Sequence, residues 1–98
     1  MTVNKEKKGN TLFVSVEGRV DTATAGEFES EIKSGLDGIS ELVLDFSGLN
    51  YISSAGLRVL LSLQKIMNTQ GEMKITGVNE IVNDIFEVTG FSEILTIV

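Results

Sequence analysis

The 98-residue sequence predicts a small α/β domain: a mixed, mostly parallel sheet of about five strands with helices packed against it. Three observations lead there. Short strand-like stretches alternate with longer segments whose apolar residues recur at helical spacing. "ELVLDF" sets three apolar residues in succession, Leu42 to Leu44, which is the pattern of an interior strand. Proline is absent, so the breaks between segments fall at the ten glycines.

The opening stretch "TVNKEKK" is polar and is expected to form an edge strand, a position that tolerates lysines. "KKGNT" then supplies a turn. "TLFVSVEG" alternates, with Leu12, Val14 and Val16 on one face and Phe13, Ser15 and Glu17 on the other. From Thr24 the period changes, and Ala25, Phe28, Ile32 and Leu36 recur at helical spacing. Asp21 or Thr22 is available to cap this helix, and Gly35 or Gly38 to end it. The "ELVLDF" strand is expected to be covered on both faces and to run into a loop that carries Tyr51.

A second helix follows, from Ser54 to Thr69, with Leu57, Leu60, Leu61 and Met67 along one side and Val59, Leu63 and Ile66 beside them. "QGEMKITGV" contributes a glycine stop and a short strand from Met73 to Thr76. "NEIVNDIFEVTG" reads as a third helix, capped by Asn79 and stopped by Gly90. "EILTIV" is expected to close the sheet as a last strand. The expected core includes Phe28, Ile32, Leu57, Leu60, Leu61, Ile81, Ile85 and Phe86. Tyr51 is open between covering the edge of that core and meeting a partner, and Phe91 is left unassigned.

Composition removes several classes of function. Residues 1–98 leave no room for a second core and are read as one domain. The formal net charge is −6, from 14 acidic against 8 basic residues, which argues against a nucleic-acid surface. Cys and His are both absent. That excludes disulfides, thiolate sites, a Ser-His-Asp arrangement and the commonest metal ligand. Neither "GLDGISEL" nor "GLNYISSAG" has the lysine of a phosphate-binding loop. No catalytic residue, metal or cofactor is therefore expected. The apolar clusters are interrupted by Arg58, Gln64 and Lys65, short of the roughly 20 residues of a membrane span. "MTVNKEKKGN" lacks the apolar core of an export signal, so the cytoplasm is the expected compartment, without membrane insertion.

The candidate site is the double serine in "LVLDFSGLNYISSAGLRVLL". A helix start needs one cap, and either Ser53 or Ser54 can accept a free N–H of the first turn. The second hydroxyl then stands beside the positive end of a helix, where an added phosphate is favoured. Ala55 and Gly56 are small enough to let another protein approach closely. The position follows the carboxyl end of an interior strand, where open α/β sheets place function. Arg58, one turn into the helix, is the favoured exposed contact, since Leu57, Leu60 and Leu61 are expected to point inward.

"DFSGLNYISSAGLRVLL" resembles the signature of the STAS domain, the sulfate transporter and anti-sigma factor antagonist domain. More narrowly, it is similar to the stand-alone bacterial anti-sigma factor antagonists. "VEGRVDTATAGEFE" resembles a second piece of the family, a strand ending in a Gly-x-x-Asp turn, and the likeness extends over almost the whole chain. The resemblance implies that Ser54 is the phosphorylated residue and that Asp21 lies near the phosphoserine loop. Asp21 keeps the alternative of capping the first helix. Asp45 matches the acidic residue that usually ends the family's central strand, and its expected role is to anchor the loop by accepting backbone N–H groups. The partner surface implied is Asp21, Tyr51, Ser53, Ser54, Ala55, Gly56 and Arg58. The implied mechanism is partner switching: the unphosphorylated form binds an anti-sigma factor that is also an ATP-dependent serine kinase, and a sigma factor is freed. Phosphorylation ends the complex, and a serine phosphatase restores the active form. The chain itself is expected to catalyse nothing. The alternative is an accessory subunit of a lipid-transport ATPase, a group that the stand-alone STAS proteins also resemble.

Overall fold

The lysine-rich opening forms an edge strand. In the computed structural model, which describes residues 1–98, the chain runs β1 (Thr2–Lys8), β2 (Thr11–Val20), α1 (Ala25–Lys33), β3 (Glu41–Ile52), α2 (Ser54–Gln70), β4 (Glu72–Thr76) and α3 (Glu80–Thr89). A single 3₁₀ turn, Phe91–Glu93, follows. The strands lie in chain order, β1 antiparallel to β2 and the others parallel. Lys5 ties the edge to the body: its Nζ donates to the Glu31 carbonyl at 2.8 Å and pairs with the Glu31 carboxylate at 3.2 Å.

The alternation in β2 is realised, with Leu12, Val14 and Val16 buried and Phe13 and Glu17 exposed. Leu42, Leu44 and Phe46 of β3 continue that buried face, and Phe28 of α1 packs on Phe46 at 6.4 Å between ring centroids. The expectation that β3 is covered on both faces is corrected. Val43 is only half-buried, and Phe13 beside it is exposed. Strand order supplies the reason: β2, β3 and β4 advance in one direction without reversing. Successive right-handed crossovers then deliver α1 and α2 to the same face.

β3 is also longer than its apolar run. It pairs with β4 only as far as Asp45, opposite Thr76, but with β2 as far as Ile52, opposite Val20. Two register irregularities, between Ser15 and Glu17 and between Gly18 and Arg19, absorb the broken alternation of "SGLNY". Backbone pairing with β2 does not require apolar side chains, so a stretch that reads as loop remains strand. Tyr51 therefore lies in β3, not in a loop. Asp45 does not end the strand, although its Oδ1 accepts from the Ser47 N–H at 2.9 Å as a local anchor.

Further differences follow from tertiary placement. The expected fifth strand is a single parallel bridge, Ile75 to Ile97, because α3 and the turn after it use the chain up to Glu93. Thr24, not Asp21 or Thr22, occupies the N-cap position of α1, and the helix ends at Lys33, before Leu36. Leu36 is buried nonetheless, in the turn that follows. On α3 only Val82 and Phe86 are buried; Ile81 is exposed and Ile85 half-buried, so neither is a core residue. Leu61 is likewise half-buried, and Gln64 takes a buried place on α2 instead.

Candidate functional site at the start of the second helix

Parallel pairing brings the carboxyl ends of β2 and β3 side by side, and α2 begins where they stop. Ser53 is the N-cap, in an extended conformation. Its N–H donates to the Val20 carbonyl at 2.8 Å, and its carbonyl accepts from the Leu57 N–H at 2.9 Å. Its hydroxyl accepts from the Gly56 N–H at 3.4 Å, a long capping bond. Ser53 is thus held on three sides. Ser54 is the first helical residue; its side chain is exposed and makes no hydrogen bond within the chain. One serine starts the helix, and the other presents a free hydroxyl.

Gly56 has an internal reason that its sequence position did not disclose. A Cβ there would stand 2.6 Å from Ile52 Cγ1 and 2.8 Å from Val20 Cγ1, inside any tolerable contact. The residue is buried, and its smallness seats the first turn of α2 on the strand ends rather than making room for a partner. Ala55 is half-buried against the core. Arg58 is exposed and forms no ion pair. Four residues after Ser54, it lies on the same side of the helix, one turn along.

Asp21 stands at the end of β2. Its Oδ1 accepts from the Ala23 N–H at 3.0 Å, the Thr24 N–H at 3.1 Å and the Thr24 hydroxyl at 3.1 Å. The carboxylate therefore organises the turn ahead of α1 without occupying the cap position itself. Partial desolvation acts to raise its pKa. The Thr24 hydroxyl, the Thr24 and Ala23 amides and the Arg19 charge together outweigh that effect and hold it below the ordinary carboxylate value.

Arg19 is the member of this surface that sequence reasoning missed. Its Nε lies 3.5 Å from Asp21 Oδ2, and its guanidinium carbon sits 5.0 Å from the Tyr51 ring centroid. Tyr51 is thereby joined to Asp21 through one cation. The only signal is that Arg19 and Tyr51 are opposite one another in the β2–β3 register, which the sequence does not display. None of the molecule's concavities is lined by Ser53, Ser54, Tyr51 or Arg58. The site is a surface suited to another macromolecule, with an exposed hydroxyl at a helix start, a free arginine and a braced tyrosine.

A mixed sheet in chain order with helices on one face and a serine-bearing helix start after the long strand defines a recognisable class. The family model of the STAS domain matches residues 2–98, and the chain belongs to that family. Among curated proteins it is 35% identical to BtrV of Bordetella bronchiseptica, named as a candidate anti-sigma factor antagonist; the match covers 99% of this chain and 85% of that protein. It is 28% identical to the anti-sigma-B factor antagonist of Staphylococcus aureus, over 97% of this chain and 92% of that one. An anti-sigma factor antagonist from Mycobacterium paratuberculosis has the same fold in its crystal structure, with a TM-score of 0.88 at 23% identity. That match covers 98% of this chain and 83% of the neighbour.

Proposed function

We propose that this chain is an anti-sigma factor antagonist that works by partner switching, with Ser54 as its phosphorylation switch. The observation that carries the reading is the division of labour at the start of α2. Ser53 supplies the cap, and Ser54 is left exposed and unbonded. The names of the relatives described above support the partner class.

The unphosphorylated chain binds an anti-sigma factor that is also a serine kinase and so releases a sigma factor. Its contact surface centres on Ser53, Ser54 and Ala55, flanked by Arg58, Tyr51 and Asp21. The kinase transfers the γ-phosphoryl group of ATP to Ser54 Oγ; the hydroxyl proton passes to a base on the kinase, and ADP leaves. The new group carries about −1.5 to −2 charges and three acceptor oxygens. Inside a protein contact that charge must be desolvated, which weakens the complex. In the free chain the same charge sits at the positive end of α2, where backbone N–H groups favour it. A serine phosphatase then hydrolyses the phosphoester, adding water and releasing inorganic phosphate. The chain serves as substrate and regulator, not as enzyme, and the cytoplasm is its place of action.

The test uses the kinase captured from extract of the native cell and identified as an ATPase. With ATP it is expected to place one phosphate on Ser54 in the parent and in Ser53→Ala, and none in Ser54→Ala. Ser54→Ala should bind the kinase and resist release by ATP, whereas Ser54→Asp should bind more weakly. A phosphate found on Ser53 with Ser54 clean would show the assignment to be wrong. Equal affinity for parent, Ser54→Ala and Ser54→Asp, all folded, would favour the lipid-transport accessory reading.

A further inference from the structure

The last helix shows a surface that the serine site does not use. At about 100° per residue, Ile81, Ile85 and Val88 of α3 fall within one arc of about 60°. Val82 and Phe86, the buried pair, are centred about 110° from the middle of that arc. A helix resting on a core ordinarily carries polar residues outside its buried stripe. Here Ile81 is 62% exposed, Val88 87% exposed and Ile85 half-buried between them.

The charge around this stripe has one sign. Glu80, Asp84 and Glu87 line its outer flank, and Glu93 follows in the 3₁₀ turn. From Gly77 to Val98 there is no Lys or Arg, and none of these four acids is ion-paired. All the basic residues of the chain lie before that segment. An apolar ridge with an unneutralised acidic border repels phosphate surfaces, both lipid and nucleic acid. It also opposes face-to-face pairing with a second copy, which would bring like charges together.

We propose that this stripe is a second docking surface, and that its occupant is a Lys/Arg-rich amphipathic helix of a partner protein. The partner's apolar side covers Ile81, Ile85 and Val88, and its basic side chains reach Asp84, Glu80 and Glu87. The stripe lies on α3 and shares no residue with the serine site at the start of α2.

The probe is a designed amphipathic Leu/Lys helical peptide, titrated into the full-length 15N-labelled chain, with a Leu/Glu peptide as control. Amide shifts are expected at Ile81, Asp84, Ile85 and Val88 with the lysine peptide, while Ser54 and Arg58 stay unmoved. The double variant Ile81→Ser/Val88→Ser should bind about tenfold more weakly, since both side chains lose the burial that binding gives them. Its unfolding midpoint should stay near the parent's. Glu80→Lys/Asp84→Lys keeps the apolar residues and should shift preference to the glutamate peptide. A photo-crosslinker at position 88 in the native cell should attach to a Lys/Arg-rich helical segment of another protein. Shifts spread over other acidic surfaces, or undiminished binding by the double variant, overturn the proposal. So does a crosslink to a second copy, to an acidic segment or to nothing.

Discussion

At the start of α2 the Ser53 hydroxyl accepts from the Gly56 N–H at 3.4 Å, and at the start of α3 the Asn79 side-chain carbonyl accepts from the Val82 N–H at 2.9 Å. The device is the same, but the two first turns differ in what they leave open. Asn79 also donates through Nδ2 to the Leu49 carbonyl at 2.8 Å, beyond the end of β4, and is followed by Glu80. That helix has its anion and its tertiary anchor already. α2 has no acid in its first turn, although it is the longest helix and the chain has 14 acidic residues. α1, like α3, supplies one, Glu27. A helix start without its own negative charge, bearing an exposed serine in first position, is one where an added negative charge would be favoured. The two starts thus differ in cap strength and in local charge, the contrast on which the proposed switch at Ser54 rests.

The largest expected effect lies in the core behind these starts. Leu60→Ala, one turn and a half into α2, should cost about 2–5 kcal/mol, because Leu60 is fully buried. Ile85→Ala on α3 should cost clearly less, since its side chain is only half-buried. Chemical denaturation of both variants measures the difference; equal losses would contradict the packing described for α3. Gly56→Ala comes next, at about 1–3 kcal/mol, because its methyl would press into Ile52 and Val20. A thermal midpoint unmoved by this change would mean that the first turn of α2 can lift off the strand ends freely.

The caps themselves separate on a finer scale. Asn79→Ala removes the 2.9 Å capping bond and the bond to Leu49 together and should cost about 1–2 kcal/mol. Ser53→Ala breaks only a 3.4 Å bond and should fall near 0.5 kcal/mol, at the low end for caps. Ser54→Ala should leave stability within about 0.5 kcal/mol, as for an exposed side chain outside such features. A loss at Ser54 larger than at Ser53 would reverse the roles assigned to the two hydroxyls.

The smallest effect concerns pH and the turn ahead of α1. The folded chain holds the Asp21 carboxyl below its ordinary value of 3.8, so its contribution is complete above that value. It is lost as pH falls through the lower folded value, where the carboxylate is protonated in both states. The stability gap between parent and Asp21→Asn should thus be present at neutral pH and close on acidification. A gap that widened in acid would remove Asp21 from the turn.

Much of this was legible in the residues because it depends on local periodicity. Leu12, Val14 and Val16 alternate, "SSAGL" and "NEIV" carry cap signatures, and each structure formed where its signature lies. Ile81 and Ile85 read as core from the sequence but lie outside it, for a reason of the same kind. They satisfy helical spacing with Val82 and Phe86, yet spacing reports only that residues share a side of a helix. Which arc meets the sheet depends on where α3 docks, through Asn79 to Leu49.

The sequence by itself determined the α/β class, the positions of the helices and the presence of two hydroxyls at one helix start, since these follow from side-chain period and capping chemistry within a few residues. It also determined, through the absence of His and Cys, that no imidazole or thiolate of this chain is available to the surface. Only the tertiary structure decided which serine is held and which is free. That choice rests on Val20, an element away, whose carbonyl fixes Ser53 and whose side chain excludes a Cβ at Gly56. The pairing of Arg19 with Tyr51, the length of β3 and the bare face of the sheet were decided there as well. Each arises from strand register and the order in which strands are added, quantities that couple residues about thirty positions apart and leave no local pattern in the chain.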